Sequence, residues 1–137
     1  MREINKLIVH CSATKPSMNI GVDEIRRWHV DENGWDDVGY HVVIKRNGYA
    51  QKGRKLSVVG AHSYGNNGDS IGVCLVGGIS ESGEPECNFT FAQYGTLSAY
   101  ISTCIDRFPN IKVIGHNQVS EKDCPCFNVE SFVESIK

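Results

Sequence analysis

"SIGVCLVGG" (Ser70–Gly78) is a continuous apolar run with β-branched residues at Ile71, Val73 and Val76. A strand with one wet face would alternate apolar and polar residues. An unbroken run of this length reads as a central strand covered on both faces. The rest of the chain must then supply flanking strands and two covering layers. Towards the N-terminus, "KLIVH" (Lys6–His10) is a second short buried strand, and "YHVVIK" (Tyr40–Lys45) is a third. Asn47-Gly48 marks a tight hairpin from that strand into "YAQ". Towards the C-terminus, "KVIGH" (Lys112–His116) is the last strand. Helical spacing predicts a helix over Val22–Asn33, with Ile25 and Trp28 facing inward and Gly34 placed to stop it. Thr90 and Gln93 form a capping box for a second helix. Leu97, Ile101, Cys104, Ile105 and Phe108 make its apolar stripe, and Pro109 ends it. Asn128 caps a third helix over Val129–Ile136. Lys52–Asp69 and Ile79–Asn88 read as irregular polar segments. The order β-α-β-β-β-α-β-α predicts an α/β fold: a single domain spanning residues 1–137, with a mixed central β-sheet flanked by helices.

The 137 residues suffice for one domain with a real core. Hydrophobic residues at 40% and charged residues at 22% are ordinary for a soluble protein. A net charge of −2 gives no global basic field, so no nucleic-acid partner is expected. No apolar run approaches the roughly 20 residues that cross a bilayer. "MREINKLIVHC" is too short in apolar residues for an export signal. The expectation is a monomer made in the cytoplasm, with no membrane partner. Its six cysteines are then mostly reduced and need separate explanations.

Two strands, "KLIVH" and "KVIGH", each end on a histidine. Carboxyl ends of strands face the site in open α/β sheets. His10 and His116 with Cys124, eight residues later, would supply the three N and S ligands that a catalytic zinc site uses. Taken alone, each histidine reads as a satisfied structural residue; the pair with the cysteine points to the metal. In "GHNQVSEKDCPCF" (Gly115–Phe127), Pro125 biases Cys124 towards extended backbone. Residues two apart in an extended chain lie roughly 6.5–7 Å apart, which disfavours a Cys124–Cys126 disulfide. A thiolate nucleophile at Cys124 or Cys126, with His116 as its base, remains an alternative. Cys126 is otherwise a small, partly buried thiol. Cys11 should point away from His10 as a packed thiol, Cys74 and Cys104 belong to the core, and Cys87 sits in a polar loop. Lys122 is either a surface lysine or an oxyanion donor, and Tyr40 either a boundary residue or a cleft hydroxyl. His62 is either a surface or a cleft histidine. His41 reads as structural, and His29, Trp28 and Trp35 as core or helix-surface residues. No glutamate is an obvious general base; Glu121 neighbours Lys122 but should point elsewhere.

"VHCSATKPS", "VGYHVVIKRNG", "SIGVCLVGG" and "EKDCP", in this order, resemble the zinc-dependent N-acetylmuramoyl-L-alanine amidases of the phage-lysozyme type, a family related to the peptidoglycan recognition proteins. The resemblance covers about Leu7 to Phe132. It implies Zn2+ held by His10, His116 and Cys124, with Tyr40 and Lys122 as catalytic residues. It places His62 in the substrate cleft. It implies hydrolysis of the amide between N-acetylmuramic acid and L-alanine in peptidoglycan, by a phage or prophage lysis enzyme acting on the wall after release. The other possibility is a non-catalytic muropeptide-binding module, since some members of the fold bind without cutting. The chain departs from its phage kin at Cys126, where they carry serine, and at Asn117, where they carry histidine. Neither position is in the implied ligand set.

Overall fold

The computed structural model describes residues 2–137. Its five strands are β1 (Lys6–Cys11), β2 (Val42–Ile44), β3 (Ala50–Lys52), β4 (Ser70–Leu75) and β5 (Lys112–Gly115). They form one sheet in the order β3-β2-β4-β1-β5. β4 lies at its centre, parallel to β1 on one side and β2 on the other, and β5 adds parallel to the far edge of β1. Within this sheet the β2–β3 hairpin is the antiparallel pair. The mixed sheet and the element order agree with the expectation from sequence. All six residues of β4 are buried, as its unbroken apolar run requires.

Alternation along the strands divides the core in two. Leu7, Val9, Ile71, Val73 and Leu75 face the helices α2 (Phe91–Arg107) and α3 (Val129–Ile136), meeting Leu97, Ile101, Val129 and Val133. Val43, Cys74 and Val76 face the opposite side, where Ile20, Val22, Ile25 and Val38 cover them. Each fully buried aliphatic side chain contributes about 1.5–3 kcal/mol through loss of water contact. β2 and β4 contribute to both layers and so join them.

α2 begins as its capping box predicts. The Thr90 hydroxyl accepts from the Gln93 N–H at 3.1 Å, and the Gln93 Oε1 accepts from the Thr90 N–H at 2.9 Å. Gln93 also does something the motif does not announce. Its buried amide donates to Ile44 O and Val76 O at 3.1 and 2.9 Å, tying the helix start to two adjacent strand ends. Asn128 caps α3 by accepting from the Ser131 N–H at 3.0 Å.

The first helix differs in kind from the expectation. α1 covers only Val22–Arg27, and Trp28–Glu32 continues it as a wider π-helical turn. Gly34 follows at φ +71°, a left-handed conformation that glycine adopts without a Cβ clash. π-Turns re-aim side chains, and this one carries His29 and Asn33 towards the cleft described below. Trp28 packs against the smaller core layer as expected. β2 is also shorter than predicted: Tyr40 and His41 precede it, although the His41 N–H still donates to Gly72 O at 2.9 Å.

Candidate metal centre and cleft

Parallel pairing explains how residues more than a hundred positions apart meet. β1 and β5 are in register at Val9 and Gly115. The next residues, His10 and His116, therefore leave adjacent strand ends side by side, with ring centroids 4.4 Å apart. His10 is the penultimate residue of β1, and His116 opens a 3-10 turn, His116–Gln118. That turn and the loop after it bring Cys124 back over the end of β1. There the Cys11 backbone N–H donates to the Cys124 Sγ at 3.0 Å. The ligand atoms of His10, His116 and Cys124 all lie within 4.8 Å of one another, the one such group of three or more His, Cys, Asp or Glu among the described residues.

The electrostatics suit a cation. His10 is 2% exposed. Burial holds its imidazole well below the ordinary histidine value, and His62, His116 and Lys122 push in the same direction. Burial, then Lys122, lowers His116 as well. Both rings are therefore neutral near pH 7 and keep a lone pair for a ligand. Two imidazoles and one thiol, with a side open to a cleft, are donors of the kind that zinc takes. The Cys11 N–H, donated to the Cys124 sulfur, holds that side chain over the end of β1.

These three residues lie in a cavity of about 770 Å³ that is also lined by Tyr40, His62 and Lys122. All six residues singled out from sequence thus face one space. The Tyr40 ring lies 5.2 Å from that of His10, and burial pushes its phenol well above the ordinary tyrosine value, so it stays protonated. Lys122 is exposed at the rim. Its charge reaches the centre, since it contributes to lowering both His10 and His116. His62 does more than line the cleft: its Nδ1 lies 2.8 Å from the His10 Nε2. Burial, then His41 and His116, bring the His62 imidazole down to about 3, so it is neutral.

Two sequence readings change. Residues Asp123–Cys126 do not run extended. The Cys124–Pro125 peptide is cis, Cys126 has φ +71°, and the Cys126 N–H donates to Asp123 O, closing a turn. Cys126 therefore aims its thiol at Gly78 O (3.3 Å), away from the cleft, and burial raises it to about 11. Cys11 is a packed thiol as expected, yet its backbone amide touches the candidate ligand, which side-chain reasoning does not reach. His29 and Trp35 are cleft-wall residues rather than core or plain helix surface. Their rings meet edge-on at 4.7 Å, and Trp35 is 36% exposed. The cue in the sequence was the aromatic-rich "WHVDENGW" interrupted by Gly34, a place where a helix could not continue. His41 is structural as expected: its Nδ1 accepts from the Gly72 N–H at 3.0 Å and its Nε2 meets Val58 O at 2.8 Å. Glu121 is exposed and outside the cleft lining.

Known proteins resemble this chain in sequence and in fold. The profile of the family described as N-acetylmuramoyl-L-alanine amidase matches residues 1–127. The endolysin of Escherichia phage T7 is 48% identical over 128 residues, covering 93% of this chain and 84% of that protein. The endolysin of Enterobacteria phage K11 is 44% identical over 134 residues, covering 98% and 88%. Among solved structures, the amidase LysC of Clostridium intestinale superposes with a TM-score of 0.84 at 24% identity, covering 98% of this chain and 86% of its own, a likeness of fold. Bumblebee PGRP-SA superposes at 0.78 with 28% identity, covering 91% and 77%. Sequence and fold point the same way: this chain belongs to the N-acetylmuramoyl-L-alanine amidase family.

Proposed function

We propose that the chain is a zinc-dependent amidase that hydrolyses the bond between the lactyl group of N-acetylmuramic acid and L-alanine in bacterial peptidoglycan. The convergence of His10, His116 and Cys124 on one point of an open cleft carries this reading. Endolysin relatives that match along nearly their whole length support a lysis enzyme of phage or prophage origin acting on the cell wall. The family match from residue 1 to residue 127 supports a single catalytic domain. No described helix is long and apolar enough to cross a membrane.

A zinc ion, which His10, His116 and Cys124 would hold, would supply Lewis acidity towards the scissile carbonyl and towards water. The chain's own residues do the rest. His10 and His116, neutral through burial, present lone pairs without first having to shed a proton. The protonated Tyr40 phenol and the Lys122 ammonium flank the cleft and are donors for the negative charge that develops on the carbonyl oxygen. Both also carry protons suited to transfer towards the leaving amine. Trp35 and His29 offer an aromatic wall to the substrate.

At Cys126 the thiol-nucleophile alternative meets two obstacles. Cys126 faces away from the cleft, and burial raises its thiol to about 11, the opposite of nucleophile activation. Cys124 to Ser separates the remaining readings. It should abolish release of L-alanine-terminated peptides from purified peptidoglycan, together with zinc retention. A C124S protein that cleaves as fast as the parent overturns the assignment, and a parent that binds muropeptide without cutting it makes the chain a binding module.

A further inference from the structure

His62 does not sit loosely at the cleft wall. Its backbone is pinned by Asn67, whose Oδ1 accepts from the His62 and Ser63 N–H groups, each at 2.9 Å. Its ring lies in a slot floored by two glycines. A Cβ on Gly60 would come within 2.7 Å of the His62 Cδ2, and one on Gly72 within 2.6 Å of the ring. Both ring nitrogens are engaged: Nδ1 with His10 Nε2 at 2.8 Å and Nε2 with Ser70 Oγ at 3.2 Å. Ser70 is fully buried at the start of β4. A residue held at its backbone, its ring faces and both nitrogens has little freedom left to adapt to a substrate.

The same geometry decides which nitrogen of His10 is free. With Nε2 occupied by His62, only Nδ1 remains for a metal. An imidazole that gives Nδ1 to a metal carries its proton on Nε2. His62 must then accept that proton's hydrogen bond through Nδ1, and so carry its own proton on Nε2, pointed at Ser70 Oγ. The two contacts fit one tautomer assignment with no donor facing a donor. Metal-ligating histidines are commonly oriented by an acceptor on the second nitrogen, usually a carboxylate or carbonyl. Among the described residues no such group hydrogen-bonds to the His10 ring, and a second histidine takes its place.

We propose that His62, backed by Ser70, is a positioning residue that fixes the ring orientation and tautomer of His10 for metal binding, rather than a contact for the substrate. This rests on the zinc reading above. The test measures zinc affinity by competition with a chromogenic chelator, alongside kcat and KM on a soluble muropeptide with zinc saturating. It uses the parent, His62→Ala, His62→Gln and Ser70→Ala, each checked for folding by circular dichroism. His62→Ala should weaken zinc binding about 10–100-fold with KM nearly unchanged. Ser70→Ala should weaken it by less, and His62→Gln, whose amide oxygen can accept from His10, should recover part of the loss. Should His62→Ala fail to fold, Ser70→Ala and His62→Gln still decide, because each alters the relay while leaving most of the packing in place. Zinc affinity within twofold of the parent in every folded variant, with a raised KM, overturns the proposal and makes His62 a substrate contact. A parent that binds no zinc is a separate result, and it defeats the metal reading itself.

Discussion

The two halves of the site are built differently. The histidine half belongs to the sheet: His10 and His116 leave neighbouring parallel strands in fixed register, and His62 is locked beside them. The cysteine half is a loop, residues 119–126, that returns over β1. A few bonds shape it: Ser120 Oγ to His116 O at 3.0 Å, Lys122 N–H to Ser120 Oγ at 3.2 Å, and Cys11 N–H to Cys124 Sγ. In the proposed site the sheet half would set where a metal sits. The loop half would bring both a ligand and a charged side chain, so that one short segment combines binding and chemistry. Rigid elements give precise ligand positions, whereas loops allow groups to be added cheaply.

That contrast can be broken most forcefully at the ligands. His10→Ala, from the sheet half, and Cys124→Ser, from the loop half, should both reduce cleavage to background and lose zinc, as measured by metal analysis after gel filtration. If either keeps full activity, the halves do not form one site. Within the loop, Lys122→Ala should separate its two tasks: zinc is retained while kcat falls by about 10²–10³, the usual loss of one oxyanion donor. Loss of zinc in that variant would make Lys122 a structural support instead.

The sheet half makes a pH prediction. His10, His41 and His62 are all lowered by burial, His62 to about 3. Unfolding lets them take up protons at their ordinary value near 6.5, so the unfolded chain binds more protons than the folded one below that pH. Stability present above pH 6.5 should be lost as pH falls, by up to about 1.4 kcal/mol per pH unit for each histidine that stays neutral when folded. For His62 the loss continues towards pH 3. Urea titrations of metal-free protein at pH 7.5, 6 and 5 check this; a flat profile would mean that these histidines are not held neutral. The smallest effect belongs to the loop. Ser120→Ala removes the hydroxyl that links Lys122 to His116, at a cost of about 0.5–1.5 kcal/mol. It should lower kcat more than it lowers the melting temperature. The reverse order would show that the loop is held elsewhere.

The same contrast explains what could be read from the sequence. Strand periodicity located "KLIVH", "SIGVCLVGG" and "KVIGH", and with them the placing of His10 beside His116. The capping box at Thr90 and Gln93 fixed the start of α2. Nothing local announced that Gln93 would also bind two strand carbonyls, because those partners are 49 and 17 residues away. The turn at Asp123–Cys126 was misread as extended because backbone preference before a proline says nothing of the cis peptide or of the left-handed Cys126. Trp35 and His29 line the cleft because the chain leaves α1 through a π-turn and the left-handed Gly34, a path that helical spacing does not show. His62 was placed at the cleft by family resemblance, but its bond to His10 depends on a glycine at position 72, ten residues further along the chain.

The central claim is metal-dependent amide hydrolysis at the meeting point of the two halves. The most direct measurement strips the purified protein with a chelator, then follows the appearance of L-alanine-terminated stem peptides from peptidoglycan by mass spectrometry, before and after adding back stoichiometric zinc. The account predicts no cleavage by the stripped protein and restored cleavage at the lactyl–L-alanine bond with zinc. Full-rate cleavage without metal, or cleavage at a different bond, would contradict it.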